Sequence, residues 1–410
     1  MSSAASGEMR LPYILGVGVH HGTFLEKPIY EVPSTILALR DLGFTSIRDD
    51  FGWSALAKQP AGVFPPRLHR LKSVLDATAG LVQPILALTM GAPDYNGGRL
   101  PVTEEAQAQY AAFAAQAVAV TAPYRPVYEI WNEWNLGTGT RQHVAGSADD
   151  YVRLAKAAYP AMKAAAPDAT ILVGGMGTDL DAIPLRKREW TWTTRAIELG
   201  LLDNGNGLSV HFYNVCRPKA ERRPSEAVAR LGKLVEILET ARPGKGYPIY
   251  VTEAGWPGKV ATGCGFSEDE QISFSAQFLL WVTKFPTLKG VWIYELKDSG
   301  VEPDELEHHF GLLDFHYTRK PYLCGVLEAR SVLDGATFVR EAAGPGGSVQ
   351  ILFAKPEGEV AAVWTPELRA EQTYVVPAGK QAKFICDDTI HPAGSTVPLR
   401  ERPLVVTPSS

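Results

Sequence analysis

Along most of the chain, short apolar runs alternate with longer stretches in which apolar residues recur every three to four positions. The short runs predict buried strands, and the longer stretches predict amphipathic helices. The predicted strands are Tyr13–Val19, Ser46–Arg48, Gln83–Leu88, Val127–Trp131, Thr170–Val173, Gly207–Tyr213, Pro248–Thr252 and Gly290–Tyr294. The predicted helices are Ser34–Leu42, Arg67–Thr78, Glu104–Val120, Asp149–Ala166, Thr194–Leu202, Glu226–Ala241, Glu268–Thr283 and Tyr322–Leu333.

Successive strand–helix repeats favour parallel strands joined by right-handed crossovers. A closed (β/α)8 barrel, or TIM barrel, needs about 250 residues plus insertions. The alternative is an open doubly wound sheet, which normally carries a glycine-rich phosphate turn and a helix after its first strand. Here Gly16 and Gly18 are followed by His20 and His21, and no helix begins there. The pattern therefore predicts a TIM barrel over residues 13–334.

The periodicity changes after about Asp334. Short alternating runs separated by turn residues replace the helical pattern, at Thr337–Glu341, Ser348–Ala354, Val360–Trp364, Gln372–Val376, Lys383–Cys386 and Leu404–Val406. Such runs are typical of antiparallel strands. They predict a small C-terminal antiparallel β domain, β-sandwich-like, over residues 335–410. Residues 1–12 are assigned to an N-terminal tail.

Composition excludes several classes of protein. A hydrophobic fraction of 45% in 410 residues excludes intrinsic disorder. A net charge of −5 argues against a nucleic-acid partner, and no apolar run is long enough for a transmembrane segment. Residues Met1–Leu11 show no apolar signal-peptide segment. A cytoplasmic protein, an unusual export route and prior removal of a signal remain as alternatives.

The sequence contains four cysteines, and none belongs to a CxxC motif, which argues against a zinc site of that type. Cys216 and Cys264 fall in loops predicted at the same end of the barrel. They either form a disulfide or remain as two thiols. The lack of a visible secretory signal favours the thiols.

Two glutamates lie at predicted strand ends, where TIM-barrel active sites are built. Glu133 lies in the sequence IWNEWN after the fourth strand, and Glu253 lies in YVTEAGWP at the end of the seventh. These strands face each other across the barrel mouth. Two carboxyl groups about 5–5.5 Å apart perform retaining glycoside hydrolysis, and a separation of about 6.5–9.5 Å indicates inversion. The sequence does not give the separation.

The two motifs together resemble the signature of the clan A glycoside hydrolases, which are (β/α)8 enzymes. The resemblance covers Tyr13–Leu333. It implies that Glu133 is the acid/base and Glu253 the nucleophile. Many clan members carry Asn-Glu-Pro at the fourth strand, whereas Trp134 follows Glu133 here.

The same resemblance implies further site residues and a substrate class. Arg48, His211 and Tyr213 occupy positions of active-site residues in the clan, and Asn132 is expected to hold the sugar 2-hydroxyl. The β domain and the segment FGLLD at 310–314 make the chain most similar to family 39 and its relatives. Those relatives include exopolysaccharide-processing endoglycosidases, β-xylosidases and iduronidases. No metal or organic cofactor is expected.

Aromatic residues near predicted strand ends are candidates for sugar contact, because sugar rings present apolar faces. Trp256 and Trp292 are predicted to contact the sugar, with ordinary packing as the alternative. His20 follows the first strand and is predicted to line the site, although a lone histidine is more often structural.

Two loops beyond the fifth and sixth strands are basic. They contain residues 186–188 and then Arg217, Lys219, Arg222 and Arg223. This cluster is compatible with an anionic polysaccharide substrate, and a solvated loop is the alternative.

These observations predict a retaining, endo-acting glycoside hydrolase for a β-linked polysaccharide or oligosaccharide. A non-catalytic carbohydrate-binding protein on the same barrel is one alternative. A transglycosylase that uses the same covalent intermediate is the other.

Overall fold

The computed structural model describes residues 10–23, 29–56, 59–60, 62–93, 95–140, 143–177, 190–260, 263–366 and 372–409. Eight parallel strands close into a barrel in chain order, with the eighth strand paired to the first. They are β1 Ile14–Gly18, β2 Ser46–Gly52, β3 Gln83–Thr89, β4 Val127–Ile130, β5 Thr170–Gly177, β6 Gly207–Phe212, β7 Ile249–Ala254 and β8 Leu288–Ile293. The predicted TIM barrel is confirmed, and each predicted barrel strand overlaps an observed one.

Helices alternate with these strands along the chain. They are α1 Val32–Leu42, α2 Trp53–Leu56, α3 His69–Thr78, α4 Glu104–Thr121, α5 Ala148–Ala165, α6 Thr191–Glu198, α7 Pro224–Ala241, α8 Glu268–Trp281 and α9 Tyr322–Leu333. The short α2 covers a single turn and was not predicted, since it is too short to show a helical period. Within the described residues, no helix combines the length and apolar character needed to cross a membrane.

Side-chain caps explain where three of the long helices begin. The Ser267 hydroxyl accepts a hydrogen bond from the Glu270 amide at 3.3 Å, and the Glu270 carboxylate accepts one from the Ser267 amide at 2.8 Å. This reciprocal pair is a capping box at the start of α8. Thr103 caps α4 and Ser147 caps α5 through a single hydrogen bond each, in which the hydroxyl accepts from a backbone amide of the first turn. The caps satisfy amide groups that would otherwise lack partners.

The C-terminal part forms two antiparallel sheets. The strands are β9 Thr337–Ala343, β10 Val349–Lys355, β11 Gly358–Trp364, β12 Thr373–Val375, β13 Lys380–Phe384, β14 His391–Pro392, β15 Thr396–Pro398 and β16 Leu404–Pro408. Six of them form one sheet in the order β14-β13-β16-β11-β10-β9, and β12 pairs with β15. Apolar side chains from both sheets form one buried cluster. The predicted C-terminal β domain is confirmed, and β14 and β15 are too short for alternation to reveal them.

The six-stranded sheet packs against the barrel. The ring of Trp281 in α8 meets that of Trp364 in β11 edge to face, with 5.4 Å between the centroids. An ion pair between Arg223 and Glu401 joins the loop after β6 to the β domain. Apolar packing and charge together therefore connect the two parts.

Both cysteine pairs form disulfides, Cys216–Cys264 and Cys324–Cys386. The expectation of two thiols at Cys216 and Cys264 is therefore wrong. These residues follow the neighbouring strands β6 and β7, and the fold brings their Cα atoms to 4.4 Å, within the range that a disulfide requires. Cys324–Cys386 connects α9 to the β domain.

Removing the Cys324–Cys386 bond should destabilise the protein. The bond spans 62 residues, so it restricts the unfolded chain, and we expect its loss to lower the free energy of unfolding by about 2–4 kcal/mol. Urea unfolding of the oxidised wild type and of the double variant Cys324→Ser/Cys386→Ser measures the difference. Equal unfolding midpoints would contradict the prediction.

Candidate active site

The chain turns sharply where β4 ends, and this turn presents Glu133. Trp131 and Glu133 have φ angles of 68° and 44°, a conformation that residues other than glycine rarely adopt. The Glu133 amide donates to the Gly175 carbonyl at 2.7 Å. The Trp131 indole donates to the Thr138 carbonyl at 3.2 Å. These bonds hold the strained turn, and backbone of this kind is concentrated at functional sites.

The Glu133 carboxylate is oriented by two side chains. Nδ1 of His211 lies 2.9 Å from Oε1 of Glu133. The Thr138 hydroxyl donates to Oε2 at 3.0 Å. The Glu133 side chain also lines a cavity at the barrel mouth. A carboxyl group that is oriented yet accessible is suited to proton transfer with a bound ligand.

Glu253 belongs to β7 and is more deeply buried. Nη1 of Arg48 donates to Oε1 of Glu253 at 2.6 Å. The Tyr213 hydroxyl donates to Oε2 at 2.6 Å. Nδ1 of His211 lies 3.5 Å from the same oxygen. Both oxygens of this carboxylate are therefore held by polar side chains.

Burial and neighbouring charges have opposite effects on the pKa values of Glu253 and His211. Burial would raise the pKa of Glu253, but His211, Arg48 and the Tyr213 hydrogen bond outweigh burial and hold this pKa below its usual value. Burial would lower the pKa of His211, whereas Glu253 and Glu133 raise it above its usual value. Glu253 is therefore kept ionised, which a carboxylate nucleophile requires.

Arg48 connects the two sides of the site. Its Nε donates to Glu129 at 2.6 Å, and its Nη2 donates to Asn132 at 2.7 Å, in addition to the bond with Glu253. Glu129 is completely buried within β4 and was missed by the sequence prediction. Its signal was available, because a charged residue inside an apolar strand is almost never fully buried unless it is paired.

The distance between the two glutamates distinguishes a retaining from an inverting glycosidase. One carboxylate oxygen of Glu133, one of Glu253 and a ring nitrogen of His211 all lie within 4.8 Å of one another. Retaining glycosidases place their carboxyl groups about 5–5.5 Å apart, and inverting enzymes place them about 6.5–9.5 Å apart. The spacing therefore fits retention.

Removing the Tyr213 hydroxyl should change the pH dependence of activity. The depressed pKa of Glu253 keeps this residue ionised until the pH falls through that pKa. Tyr213→Phe removes a hydrogen bond to the charged form, so the pKa of Glu253 should rise. We expect the acid limb of the kcat/KM profile to move to higher pH, with kcat/KM at its optimum reduced by about tenfold.

Tyr124→Phe provides the matched control. The Tyr124 hydroxyl also donates to a carboxylate, Asp76, at 2.6 Å, but this pair does not line the cavity. We expect the wild-type profile from this variant. An unchanged acid limb in Tyr213→Phe would contradict the role given to this hydrogen bond.

The cavity at the barrel mouth has a volume of about 590 Å³. Its lining includes four residues that the sequence prediction missed: Asp50, Tyr294, Glu307 and Phe310. Asp50 lies two positions after Arg48 on β2, and side chains two apart share one face of a strand, so this spacing was a usable signal. Glu307 and Phe310 follow β8 in a loop without a comparable signal.

Of the three residues predicted to contact sugar near strand ends, one lines the cavity and two do not. His20 lines the cavity. Trp292 is 1% exposed and its indole donates to Ser46 at the start of β2, so it fills the barrel interior away from the mouth. Trp256 is 4% exposed and packs against Phe278 of α8. Both tryptophans lie near a strand end in the sequence, but their side chains point into packed layers, which corrects the predicted sugar contacts.

Only part of the basic loop cluster lies among the residues that the structure describes. Residues 186–188 lie outside the described residues. Arg217 and Arg223 form ion pairs with glutamates, and Arg222 donates to loop carbonyls. Lys219 is exposed. The described arginines of this cluster therefore connect parts of the protein to one another.

Two groups of side chains among the described residues are close enough to share a metal ion. One contains Cys324 and Cys386, which are joined in a disulfide. The other consists of Glu133, His211 and Glu253, whose spacing is explained by the hydrogen bonds of His211. The expected absence of a metal or organic cofactor stays a prediction.

Solved structures of similar fold come from glycoside hydrolases. A family 39 glycoside hydrolase from the gut symbiont Bacteroides cellulosilyticus is 21% identical, with a TM-score of 0.73 over 97% of this chain and 81% of that one. A β-xylosidase from Caulobacter crescentus is 14% identical, with a TM-score of 0.61 over 98% of each chain. A family 5, subfamily 18 protein from Streptomyces cattleya, solved with GlcNAc, is 19% identical, with a TM-score of 0.57 over 78% of this chain and 80% of that one. At these identities the likeness concerns the fold.

The sequence itself matches one family. Residues 17–278 match the family model described as cellulase (glycosyl hydrolase family 5), a region that runs from β1 into α8 and includes both Glu133 and Glu253. A comparison with curated proteins gave no match. The clan A resemblance seen in the sequence is thus confirmed, with family 39 enzymes among the proteins of similar fold. Because the match covers more than half of the chain, this protein belongs to glycosyl hydrolase family 5 and is a retaining clan A glycoside hydrolase.

Proposed function

We propose that this enzyme cleaves β-linked polysaccharides or oligosaccharides by endo action, with Glu133 as acid/base and Glu253 as nucleophile. One observation carries the proposal. The two carboxylates share a single cavity, and His211 contacts both of them, at 2.9 Å and 3.5 Å. Arg48 and Tyr213 hold Glu253 in its charged form, while Glu133 faces the cavity without a cationic arginine or lysine partner among the described contacts.

The geometry supports a two-step reaction. In the first step Glu253 attacks the anomeric carbon, the bond to the leaving oxygen breaks, and Glu133 gives that oxygen its proton. In the second step Glu133 takes a proton from water, whose oxygen attacks the same carbon and releases Glu253. Both steps need the carboxylates on opposite sides of the anomeric carbon, and the positions of the two residues at the ends of β4 and β7 support this arrangement.

Asn132 is suited to hold the sugar 2-hydroxyl. Its side-chain oxygen accepts a hydrogen bond from Arg48 at 2.7 Å, so the amide nitrogen is the group left to donate. The same arginine holds Glu253, and the donor and the nucleophile are therefore positioned together. A contact to the 2-hydroxyl strengthens at the transition state of glycoside hydrolysis.

The composition of the cavity lining supports endo action. The lining includes Leu136 and His143, which follow β4, and also His20 after β1 and Glu307 after β8. We therefore expect protein contacts to sugar residues on both sides of the scissile bond. An anionic substrate also stays a prediction, although the described arginines that suggested it serve the protein's own contacts.

Digestion of a panel of neutral and anionic β-glycans tests the proposal. Products are followed by length and by NMR of the anomer released first. We expect the β-anomer first, because retention preserves configuration, and a ladder of intermediate lengths, because endo action cuts internally. Release of single sugars from one end would contradict endo action, and initial α-anomer would contradict retention. Products longer than the substrate at high acceptor concentration would indicate transglycosylation instead.

A further inference from the structure

An arginine in the helix layer contacts the strand end that carries Tyr213. Arg230 lies on α7, the helix that follows β6 along the chain, and it is only 5% exposed. Its Nη2 donates a hydrogen bond to the Tyr213 carbonyl at 2.9 Å. Its guanidinium carbon lies 5.4 Å from the centre of the Phe212 ring. Arg230 therefore contacts two successive residues at the end of β6, although it is not one of the described residues that line the cavity.

The alternation of side chains along a strand explains this arrangement. His211 points into the barrel, where it contacts both carboxylates of the site. Phe212 points outward to the helix layer and meets Arg230. Tyr213 points inward again, and its hydroxyl donates to Glu253 at 2.6 Å. Through the Tyr213 carbonyl, Arg230 is therefore connected to a residue that holds Glu253.

A carboxylate and a second arginine hold the guanidinium of Arg230 in turn. Nε of Arg230 lies 2.9 Å from Oε1 of Glu226, one turn earlier on α7. Arg217, in the loop after β6, donates to the same oxygen at 2.9 Å. A buried charge is costly unless it is paired and hydrogen-bonded. One carboxylate is shared here by two cations, and the Tyr213 carbonyl supplies Arg230 with a further acceptor.

Stability alone does not explain a charged residue at this position. The other buried residues of α7 are apolar, namely Pro224, Ala227, Val228, Leu231, Leu234 and Leu238. Replacing a buried ion pair by apolar residues of similar volume is often neutral or stabilising. A guanidinium differs from an apolar side chain in that its rigid, planar set of donors can hold two acceptors in a fixed geometry. At Arg230 those acceptors are the Tyr213 carbonyl and the Glu226 carboxylate.

We infer that Arg230 is a positioning residue for the reaction, which fixes the backbone at Tyr213 and so keeps the Tyr213 hydroxyl on Glu253. Glu226 supports this role by orienting the guanidinium. The inference rests on the proposed function, because that assignment makes Glu253 the nucleophile. It extends the set of residues that control the nucleophile from the cavity wall to the helix layer.

Arg230→Met tests the inference, because methionine keeps much of the apolar packing but lacks the donors. The Tyr213 hydroxyl should then hold the charged form of Glu253 less well, so the pKa of Glu253 should rise. We expect the acid limb of kcat/KM to move to higher pH, and kcat/KM at its optimum to fall by up to about tenfold, the loss expected for Tyr213→Phe. Arg195→Met, the same change at an exposed ion pair on α6, should match the wild type.

A double-mutant cycle separates positioning from a purely structural role. If Arg230 acts through the Tyr213 hydroxyl, Arg230→Met should change the acid limb little once Tyr213→Phe is present. Arg230→Lys should restore the limb only in part, because an ammonium lacks the planar set of donors. An equal shift of the acid limb in both backgrounds would overturn the inference. A wild-type acid limb in folded Arg230→Met would do the same.

The charge state of Glu253 is also measured without turnover, by carbon-13 NMR of the side-chain carboxyl groups, with Glu253→Gln to assign the signal. We expect a higher pKa of Glu253 in Arg230→Met than in the wild type, and equal values would contradict the inference. Besides Tyr213, the titratable and charged groups that face Glu253 are the same in both proteins. They are His20 after β1, Arg48 and Asp50 on β2, Glu133 after β4, His211 on β6, and Tyr294 and Glu307 after β8.

Glu226→Gln replaces Arg230→Met in these measurements if the methionine variant fails to fold. It keeps the shape of the side chain but removes the charge that orients the guanidinium, so we expect a smaller rise in the pKa of Glu253. An unchanged pKa in folded Glu226→Gln would overturn the inference. An absence of turnover with every glycan would contradict the proposed function instead, whereas the NMR titration of Glu253 would still decide the role of Arg230.

Discussion

Replacement of Glu253 by glutamine should lower kcat by at least about 10⁴-fold, because in the proposed mechanism the covalent intermediate forms on this carboxylate. Arg48 and Tyr213 contact this side chain at 2.6 Å each, and an amide of the same shape keeps much of that packing. We therefore expect the variant to fold and to bind sugar. Turnover and sugar affinity, measured on the same preparation, distinguish loss of chemistry from loss of binding.

Mass spectrometry gives an independent readout for the same residue. A substrate with fluorine at C2 slows release of the glycosyl-enzyme, so the wild type should gain the mass of one sugar on the peptide that contains Glu253. Glu253→Gln should gain none. Glu236→Gln, an equivalent change on the exposed face of α7, should behave as the wild type. Labelling on another carboxylate, or full activity of Glu253→Gln, would remove Glu253 from the nucleophile role.

Replacement of Glu133 by glutamine should have an effect that depends on the leaving group. General acid catalysis contributes about 10²–10⁴-fold, and an oxygen that is already a good leaving group needs little protonation. We expect a loss in this range for natural glycans and a much smaller loss in the first step for an activated aryl glycoside. Steady-state and burst kinetics with both types of substrate measure the difference.

An added anion tests the second role of Glu133. Without a carboxylate to deprotonate water, the glycosyl-enzyme should accumulate, and azide, which needs no base, should restore turnover and form a β-glycosyl azide. Thr138→Val keeps the acid but removes its hydroxyl partner at 3.0 Å, so it should lose less activity and show no azide rescue. Equal losses for all leaving groups in Glu133→Gln would contradict the acid/base role.

Local patterns were sufficient to predict the barrel. A strand that is buried on both faces appears in the sequence as a short apolar run. A helix that covers the strands on one side shows apolar residues every three to four positions. The alternation of the two patterns along the chain therefore reflects the layers of the fold. Helix α9, Tyr322–Leu333, was predicted with the bounds it has. The short strands β14 and β15 were not predicted, because two or three residues contain no period to detect.

The proximity of Glu133 and Glu253, the proposed catalytic pair, was also predictable, because both residues lie at strand ends and those ends meet at one face of any TIM barrel. The two tryptophans were a harder case. Trp292 and Trp256 lie as near to strand ends as the glutamates do, but they belong to the barrel interior and the helix layer. Proximity along the chain does not specify the height or direction of a side chain.

Other features depend on contacts between distant segments. Glu129, 81 positions from Arg48 along the chain, completes the charge network around Arg48 and Glu253. Glu295, 275 positions from His20 along the chain, lies 3.1 Å from the His20 ring. The pairing of the cysteines also depends on contacts between distant segments. Four cysteines allow several connectivities, and the distances between the loops in the folded protein select one of them.

Periodicity and residue type along the chain thus specify the elements, their order and the two glutamates, because hydrophobic burial and strand direction act locally and repeat. The partners of those glutamates, the disulfides and the His20–Glu295 pair arise when the barrel closes and the loops meet. Charge interactions and hydrogen bonds operate over a few ångströms in space, and separation along the chain does not encode that distance.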